Sequence, residues 1–173
     1  MASVDGQPLP LSLIVRQEKK MDDIFKSLTH GLHEKYQRLI SMQPFTIDTT
    51  PKDCPVGGVY LFTKNGKHLY AGRTKRKIKT RLKAHVNTGN DCPFAYRLAK
   101  EAIGVKEATY KKEGSRRDLL TQPQFKQAYE SAKDRIREME VRFVGEPDPL
   151  KQALLEIYVA VVSKAKYNHF DTT

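Results

Sequence analysis

Three positions in this chain combine residue type and setting in a way that suits phosphodiester hydrolysis. That reaction needs a deprotonated water, a neutralised phosphate and a stabilised leaving oxygen. Arg81 and His85 stand four apart in the run from Ile78 to Val86, so a helix there places them on one side. Ile78, Leu82 and Val86 recur at four-residue spacing and form the apolar stripe of that helix. His85 falls close to the stripe and Arg81 at its edge, whereas a purely solvated helix keeps its charges opposite. A plainer reading is open: Arg81 is one of six basic residues between Lys75 and Lys83, and His85 lies at a core boundary. Further on, Pro149 to Ala165 is apolar nearly all round, which is the pattern of a buried helix. Gln152, Glu156 and Ser163 share one narrow polar stripe on it. Glu156 is therefore either a carboxylate emerging beside a sheet or an ordinary glutamate on an exposed stripe.

Two tyrosines bracket the clearest local signal in the chain. Gly58-Val59-Tyr60 precedes Asn65-Gly66, and Tyr70-Ala71-Gly72 follows it. Asn-Gly suits a type I′ turn, in which both central residues need positive φ, and the flanks are apolar and aromatic as strands require. Tyr60 and Tyr70 are thus predicted on adjacent antiparallel strands. Their bland role is sheet packing with a wet hydroxyl.

These tripeptides and their spacing resemble the GIY-YIG nuclease family, with Val59 and Ala71 in place of the isoleucines. The family carries a catalytic arginine about ten residues after the second motif tyrosine, often with a histidine four later. Here Arg81 is eleven after Tyr70 and His85 follows at four. A glutamate in a late helix is the family's single metal ligand, a place Glu156 matches in Leu155-Glu156-Ile157. An asparagine near the chain end follows, and Asn168 fits. The resemblance covers roughly residues 57 to 168, and the ordered set of six residues is what makes it specific.

The resemblance implies roles. Glu156 would hold one divalent cation, and Mg²⁺ (or Mn²⁺) suits a single carboxylate supplemented by waters and phosphate oxygens. Arg81 would grip a non-bridging oxygen with its fork of donors. Tyr60 is the candidate base, helped by cations or by passing its proton to His85. Tyr70 would orient water or phosphate, and Asn168 would fix geometry around the site. Arg73, Lys75, Arg76, Lys77, Lys79 and Lys83 surround the site in sequence and suit phosphate contact without base reading. Lys111, Lys112, Arg116 and Arg117, in an expected exposed loop over 105–121, are a second candidate surface.

The rest of the pattern supplies the frame. Residues 1–15 read as an unstructured or loosely attached leader, and about 17–42 as an amphipathic helix that Gly31 interrupts. Residues 44–55 read as a linker. After the hairpin come helices over about 75–86, from Pro93 to near Gly104, and from Pro123 to about Arg137. A strand follows over 139–144, then a long helix with Asp148 as N-cap and Pro149 at its first position. The expected fold is mixed α/β of the α+β kind: a small three-stranded antiparallel sheet flanked by helices, with an added N-terminal helix. The expected division is 1–50, leader and helix packed on the core, and 51–173, a GIY-YIG-like domain.

Composition narrows the partners. With 31 basic against 20 acidic residues, the formal charge of the 173-residue chain is +11, which favours a polyanion. DNA is the expected one. No helix is both strongly basic and rich in large apolar residues, and no run of 18 apolar residues exists, so no membrane role is expected. Leu9 to Val15 lacks a basic region before it, so a signal peptide is not expected either. Two cysteines cannot build a disulfide framework or a four-ligand zinc site, and read as reduced thiols of a cytoplasmic protein. Neither a Walker-type loop nor a nucleophile elbow occurs. The expected function is a metal-dependent DNA endonuclease, restriction-type or otherwise stand-alone. The alternatives are a structure-specific repair or recombination nuclease, and a module that binds nucleic acid without cutting it.

Overall fold

The computed structural model describes residues 23–105, 115–168 and 170, together with two short backbone strands near the start. Those strands, β1 (Ser3–Val4) and β2 (Gln7–Pro8), pair antiparallel where the sequence predicts a leader without structure. Asp5-Gly6, a turn dipeptide, lies between them in sequence and is the signal that was there to be read. Helical residues 23–29 (α1) and α2 (Leu32–Ser41) follow, separated at Gly31, whose φ is 79°.

The sheet comprises β3 (Val56–Lys64), β4 (Lys67–Lys77) and β5 (Glu140–Gly145), in the antiparallel order β4-β3-β5. The β3–β4 turn has φ of 52° at Asn65 and 72° at Gly66, the positive pair that a type I′ hairpin needs. Phe62 faces Tyr70 across the ladder and Tyr60 faces Gly72, so both tyrosines stand on one face of the sheet. β4 runs further than the sequence predicts. Lys75, Arg76 and Lys77 belong to the strand, and the helix after it, α3 (Ile78–Ala84), begins only at Ile78. Pairing of Val56 with Lys77 holds the extension in place.

Side-chain alternation sends β3 residues to two cores. Val59 and Leu61, with Ala71, bury against Leu39 of α2 and Leu155 and Val159 of α7 (Pro149–Val162). Tyr60, Phe62 and Tyr70 bury on the other face against α3, α4 (Pro93–Ile103) and α6 (Pro123–Arg137), through Leu82, Phe94, Leu98, Phe125 and Ile136. The architecture is the mixed α/β fold expected, a three-stranded antiparallel sheet with helices on both faces. Ser115 caps the short α5 (Arg116–Leu119), where the sequence predicts exposed loop, and Leu119 is buried. Lys111 and Lys112 lie outside the described residues.

Residues 44–55 form no free linker. Phe45 exchanges backbone hydrogen bonds with Val141 at 3.0 and 2.7 Å, covering the outer edge of β5, and Ile47 is fully buried. α7 also corrects an expectation. Its polar stripe turns inward at Gln152 and Ser163, while Leu150, Ile157, Val161 and Val162 face out. The cause is a buried acceptor: the Glu146 carbonyl takes a 2.5 Å bond from Gln152 Nε2, which fixes the roll of the helix. Among the described residues no helix is long and apolar enough to cross a membrane.

Two glycines are sterically required. A Cβ on Gly58 would overlap the Val144 carbonyl oxygen of the neighbouring strand. A Cβ on Gly72 would lie 2.5 Å from the Tyr60 hydroxyl oxygen, because the Tyr60 ring crosses this position. Gly58→Ala should therefore lower the unfolding free energy by more than about 2 kcal/mol, since backbone cannot step aside cheaply. Gly66→Ala, open in space but at positive φ, should cost only about 1 kcal/mol. Urea unfolding of the two variants checks the order, and equal losses would contradict it.

Candidate functional site

The site is built where β3, β4, α3 and α4 meet. Tyr60 comes from the central strand, Arg81 from the middle of α3 and His85 from its C-terminal cap. α3 is seated by its own start. The Ile78 N–H donates to the Pro55 carbonyl at 3.0 Å, and the Lys79 N–H donates to Cys54 Sγ at 3.2 Å. With that end fixed, Ile78 and Leu82 bury, and Arg81 and His85 turn toward Tyr60.

The result is a hydrogen-bonded chain. Arg81 Nε donates to the Tyr60 hydroxyl at 3.2 Å, and the same oxygen lies 2.8 Å from His85 Nε2. On the far side of the ring, His85 Nδ1 lies 3.1 Å from Cys92 Sγ. Tyr60 is 0% and His85 1% exposed, so both polar groups depend on these partners. Burial, reinforced by the nearby Tyr70, holds the Tyr60 phenol well above its usual range, and Arg81 only partly opposes it. Burial, with the Arg81 charge second, pushes the His85 imidazole down to about 3. The ring is therefore neutral at ordinary pH.

Tyr70 stacks on Phe94 with centroids 4.7 Å apart and planes 8° from parallel. Its phenol too is raised, by burial first and then by the charge of Glu156. Glu156 meets β4 at Arg73, whose Nε donates to its Oε2 at 3.0 Å. Burial raises the carboxyl despite Arg73 and, more weakly, Arg81. Arg73, expected on DNA, is thus the partner of Glu156. Asn168 takes a structural place. Its Oδ1 accepts from the Ala71 N–H at 2.8 Å and its Nδ2 donates to the Ala71 carbonyl at 2.9 Å, pairing the open edge of β4.

The basic segment divides. Lys75, Arg76, Lys77 and Lys83 are exposed, while the Lys79 ammonium is bound to the Thr50 carbonyl and braces residues 46–50 against α3. Arg116 donates to the Asn90 carbonyl at 2.5 Å and lies over the Tyr96 ring, and Arg117 is exposed. Cys92 is the site residue that sequence reasoning missed. The available signal was Cys92-Pro93 at the start of a helix, where a side-chain acceptor belongs; its sulfur accepts the Ala95 N–H at 3.3 Å.

Among the described residues no group of three or more His, Cys, Asp and Glu side chains is placed to hold a metal ion. A cation here would rest on Glu156 alone. A carboxyl whose burial is undercompensated by Arg73 fits one that keeps most of its waters. No protein-family model matches this chain, and neither a curated protein nor a solved structure matches it significantly.

The neutral, buried His85 has a consequence for stability. The unfolded chain takes up a proton near the ordinary 6.5, and the folded chain refuses it until about 3. Stability from this residue is therefore whole above that upper value and is lost as pH falls through the window. Wild type should lose about 2 kcal/mol more than His85→Gln between pH 7 and pH 5, by the conversion of about 1.4 kcal/mol per pH unit. Glu156 titrates equally in both and drops out of the comparison. Urea unfolding at the two pH values measures it, and equal losses would mean that folded His85 titrates normally.

Proposed function

We propose that this chain is a divalent-metal-dependent DNA endonuclease of the GIY-YIG type that acts as a compact stand-alone enzyme. One observation carries the reading: Tyr60, Arg81 and His85 form a single hydrogen-bonded chain, with Tyr70 and Glu156 close enough for their charges to couple to it. A proton acceptor, a phosphate-binding fork and a metal-ligating carboxylate are the three parts that phosphodiester hydrolysis needs.

In this reading Arg81 Nε steadies Tyr60 in the free protein, and on substrate binding the guanidinium moves onto a non-bridging oxygen of the scissile phosphate. Arg81 is half-buried over an enclosed phenol, so its shift onto the phosphate also opens the Tyr60 oxygen to the attacking water. Tyr60 accepts the water proton as it passes its own to His85 Nε2. Burial, reinforced by Tyr70, holds the phenol protonated, so this concerted relay, and not a standing phenolate, is what lets Tyr60 act as base. Mg²⁺ or Mn²⁺ held by Glu156 would supply positive charge to the phosphate and to the departing 3′-oxygen. Tyr70 orients the phosphate or the water, and Asn168 keeps β4 in register beneath them. The exposed Lys75, Arg76, Lys77 and Lys83 meet the DNA backbone.

A second reading has one observation in its favour. The enclosed Tyr60 and the Glu156–Arg73 pair suit a module that binds nucleic acid without cutting it. A supercoiled-plasmid assay separates the two. Cleavage is expected with Mg²⁺ or Mn²⁺ and not with EDTA, and Glu156→Ala should abolish it while leaving DNA binding largely intact. Tyr60→Phe and Arg81→Ala should each lower the single-turnover rate by about 10² or more. Absence of cleavage under every metal condition, with binding retained, would leave the module reading standing.

Binding has its own test in a Glu156→Ala background. Affinity for random duplex should fall with salt at a slope of about −0.9 per phosphate neutralised. Replacing Lys75, Arg76 and Lys83 together by Gln should flatten that slope by roughly two to three units for all sequences alike. Lys79→Gln should leave the slope nearly unchanged, because its ammonium already serves Thr50. An unaltered slope in the triple variant would place the DNA on another surface.

A further inference from the structure

We propose that Cys92 is a positioning residue: its sulfur holds the His85 ring with Nδ1 protonated and Nε2 bare toward Tyr60. The use of that bare nitrogen as the acceptor of the Tyr60 proton rests on the nuclease reading above. The tautomer itself is a property of the folded chain.

A neutral imidazole carries one donor and one acceptor, and its neighbours decide which nitrogen is which. Here Cys92 gives one tautomer its acceptor, and the other is disfavoured by Tyr60. Its oxygen already accepts Arg81 Nε–H at 3.2 Å. If His85 Nε2 carried the proton, that oxygen would accept twice. The phenolic hydrogen would then have no acceptor among the described residues, in a position that is 0% exposed. With the proton on Nδ1 every strong donor is served. The phenol donates to Nε2 across 2.8 Å, and Nδ1–H donates to Cys92 Sγ across 3.1 Å. The sulfur becomes an acceptor of two N–H groups, the second being Ala95 N–H. What goes unserved is the thiol hydrogen, the weakest donor in the cluster.

The sulfur is well fixed for this task. Cys92 caps α4, and its backbone N–H donates to the buried Tyr129 hydroxyl at 3.0 Å, which ties it to α6. The charged or titratable groups that face the His85 ring are Tyr60, Tyr70, Cys92 and Arg81, and Phe62 closes the rest at 5.2 Å. No carboxylate is among them. A carboxylate in place of the sulfur would draw a second proton onto the ring and leave it without an acceptor. A thiol, whose own ionisation burial suppresses, orients the ring and leaves it neutral.

The proton transfer balances. One O–H bond of the attacking water breaks as an O–H bond forms on Tyr60; the original Tyr60 O–H breaks as Nε2–H forms. His85 becomes imidazolium only in passing, with Nδ1–H still on the sulfur; being buried, it hands the proton back to Tyr60 as the Tyr60 hydrogen leaves to solvent after the product has gone.

The test is ¹⁵N NMR of His85 in the full chain, joined to single-turnover kinetics. Wild type is expected to show a bare Nε2 and a protonated Nδ1 from pH 6 to 8. Cys92→Ala leaves Nδ1–H without an acceptor, so the Nε2-protonated tautomer should become populated. The cleavage step should slow by about tenfold or more, with DNA affinity unchanged. Cys92→Ser, which keeps an acceptor, should restore both the wild-type nitrogen shifts and most of the rate. A protonated Nε2 in wild type overturns the proposal, as does a Cys92→Ala variant with wild-type nitrogen shifts. Should Cys92→Ala fail to fold, the wild-type and Cys92→Ser spectra decide the same question. A chain that never cuts DNA would remove the nuclease reading, and with it the relay, while the spectra would still decide whether Cys92 sets the tautomer.

Discussion

A phenol oxygen buried on the central strand of the sheet obliges the rest of the fold to bring it polar partners. Left alone, such a hydroxyl would cost about 1–3 kcal/mol in lost hydrogen bonding with water. Tyr60 is that group, and its demands explain much of what surrounds it. Gly72 stands opposite because no side chain fits beneath the ring. α3 begins where the Pro55 carbonyl and Cys54 sulfur receive its first N–H groups, which aims Arg81 and His85 at the phenol. α4 begins at Cys92, whose sulfur serves both the helix start and the histidine. Two helix ends and a strand crossing are thus tied to one oxygen.

A three-stranded sheet has two edges for one central strand, and here both are covered by segments of the same chain. Phe45 pairs with Val141 outside β5, and Arg142 Nε donates to the Met42 carbonyl beside it. Outside β4, the Tyr167 N–H donates to the Leu69 carbonyl at 2.8 Å, and the Asn168 amide then bonds both backbone groups of Ala71. Covering an edge removes a template for pairing with other chains. It also fixes the one strand that carries Tyr70, Gly72 and Arg73. The edge is closed by a side chain at Ala71, two residues short of Arg73, where Glu156 meets the strand.

The helix that delivers Glu156 shows how a buried polar contact can overrule hydrophobic pattern. Its sequence is apolar nearly all round, and burial of its apolar side would have been the obvious outcome. Instead Gln152 reaches the Glu146 carbonyl, and Glu146 is itself buried beneath an ion pair with Lys35. That network fixes the roll of α7. Glu156 is carried with Gln152 to a half-buried place, and Ile157 and Val161 are left facing outward. The same roll that exposes apolar surface is what places the carboxylate beside Arg73.

The sequence by itself determined the hairpin, the identity of its turn and the placing of Tyr60 and Tyr70 on adjacent strands, because those follow from φ requirements and strand composition. Their common face was not legible: strict alternation from the turn would set Tyr70 opposite Leu61, and the register shift between Phe62 and Thr63 is what sets it opposite Phe62. That Arg81 and His85 fall on one side of a helical turn was legible from their four-residue spacing, and so was the Asp148 cap of α7. What it could not determine was every relation that depends on a residue far away in the chain. Arg73 and Lys79 read as two more cations of a basic run, yet a carboxylate 83 residues later and a carbonyl 29 residues earlier claim them. Cys92 read only as a reduced thiol because the atom that gives it meaning, His85 Nδ1, reaches it only after α3 and α4 have packed. The inward roll of α7 was hidden for the same reason. Local rules act on neighbours, whereas the partner of a buried polar atom is supplied by whichever distant segment packs against it, and only the tertiary structure decides which that is.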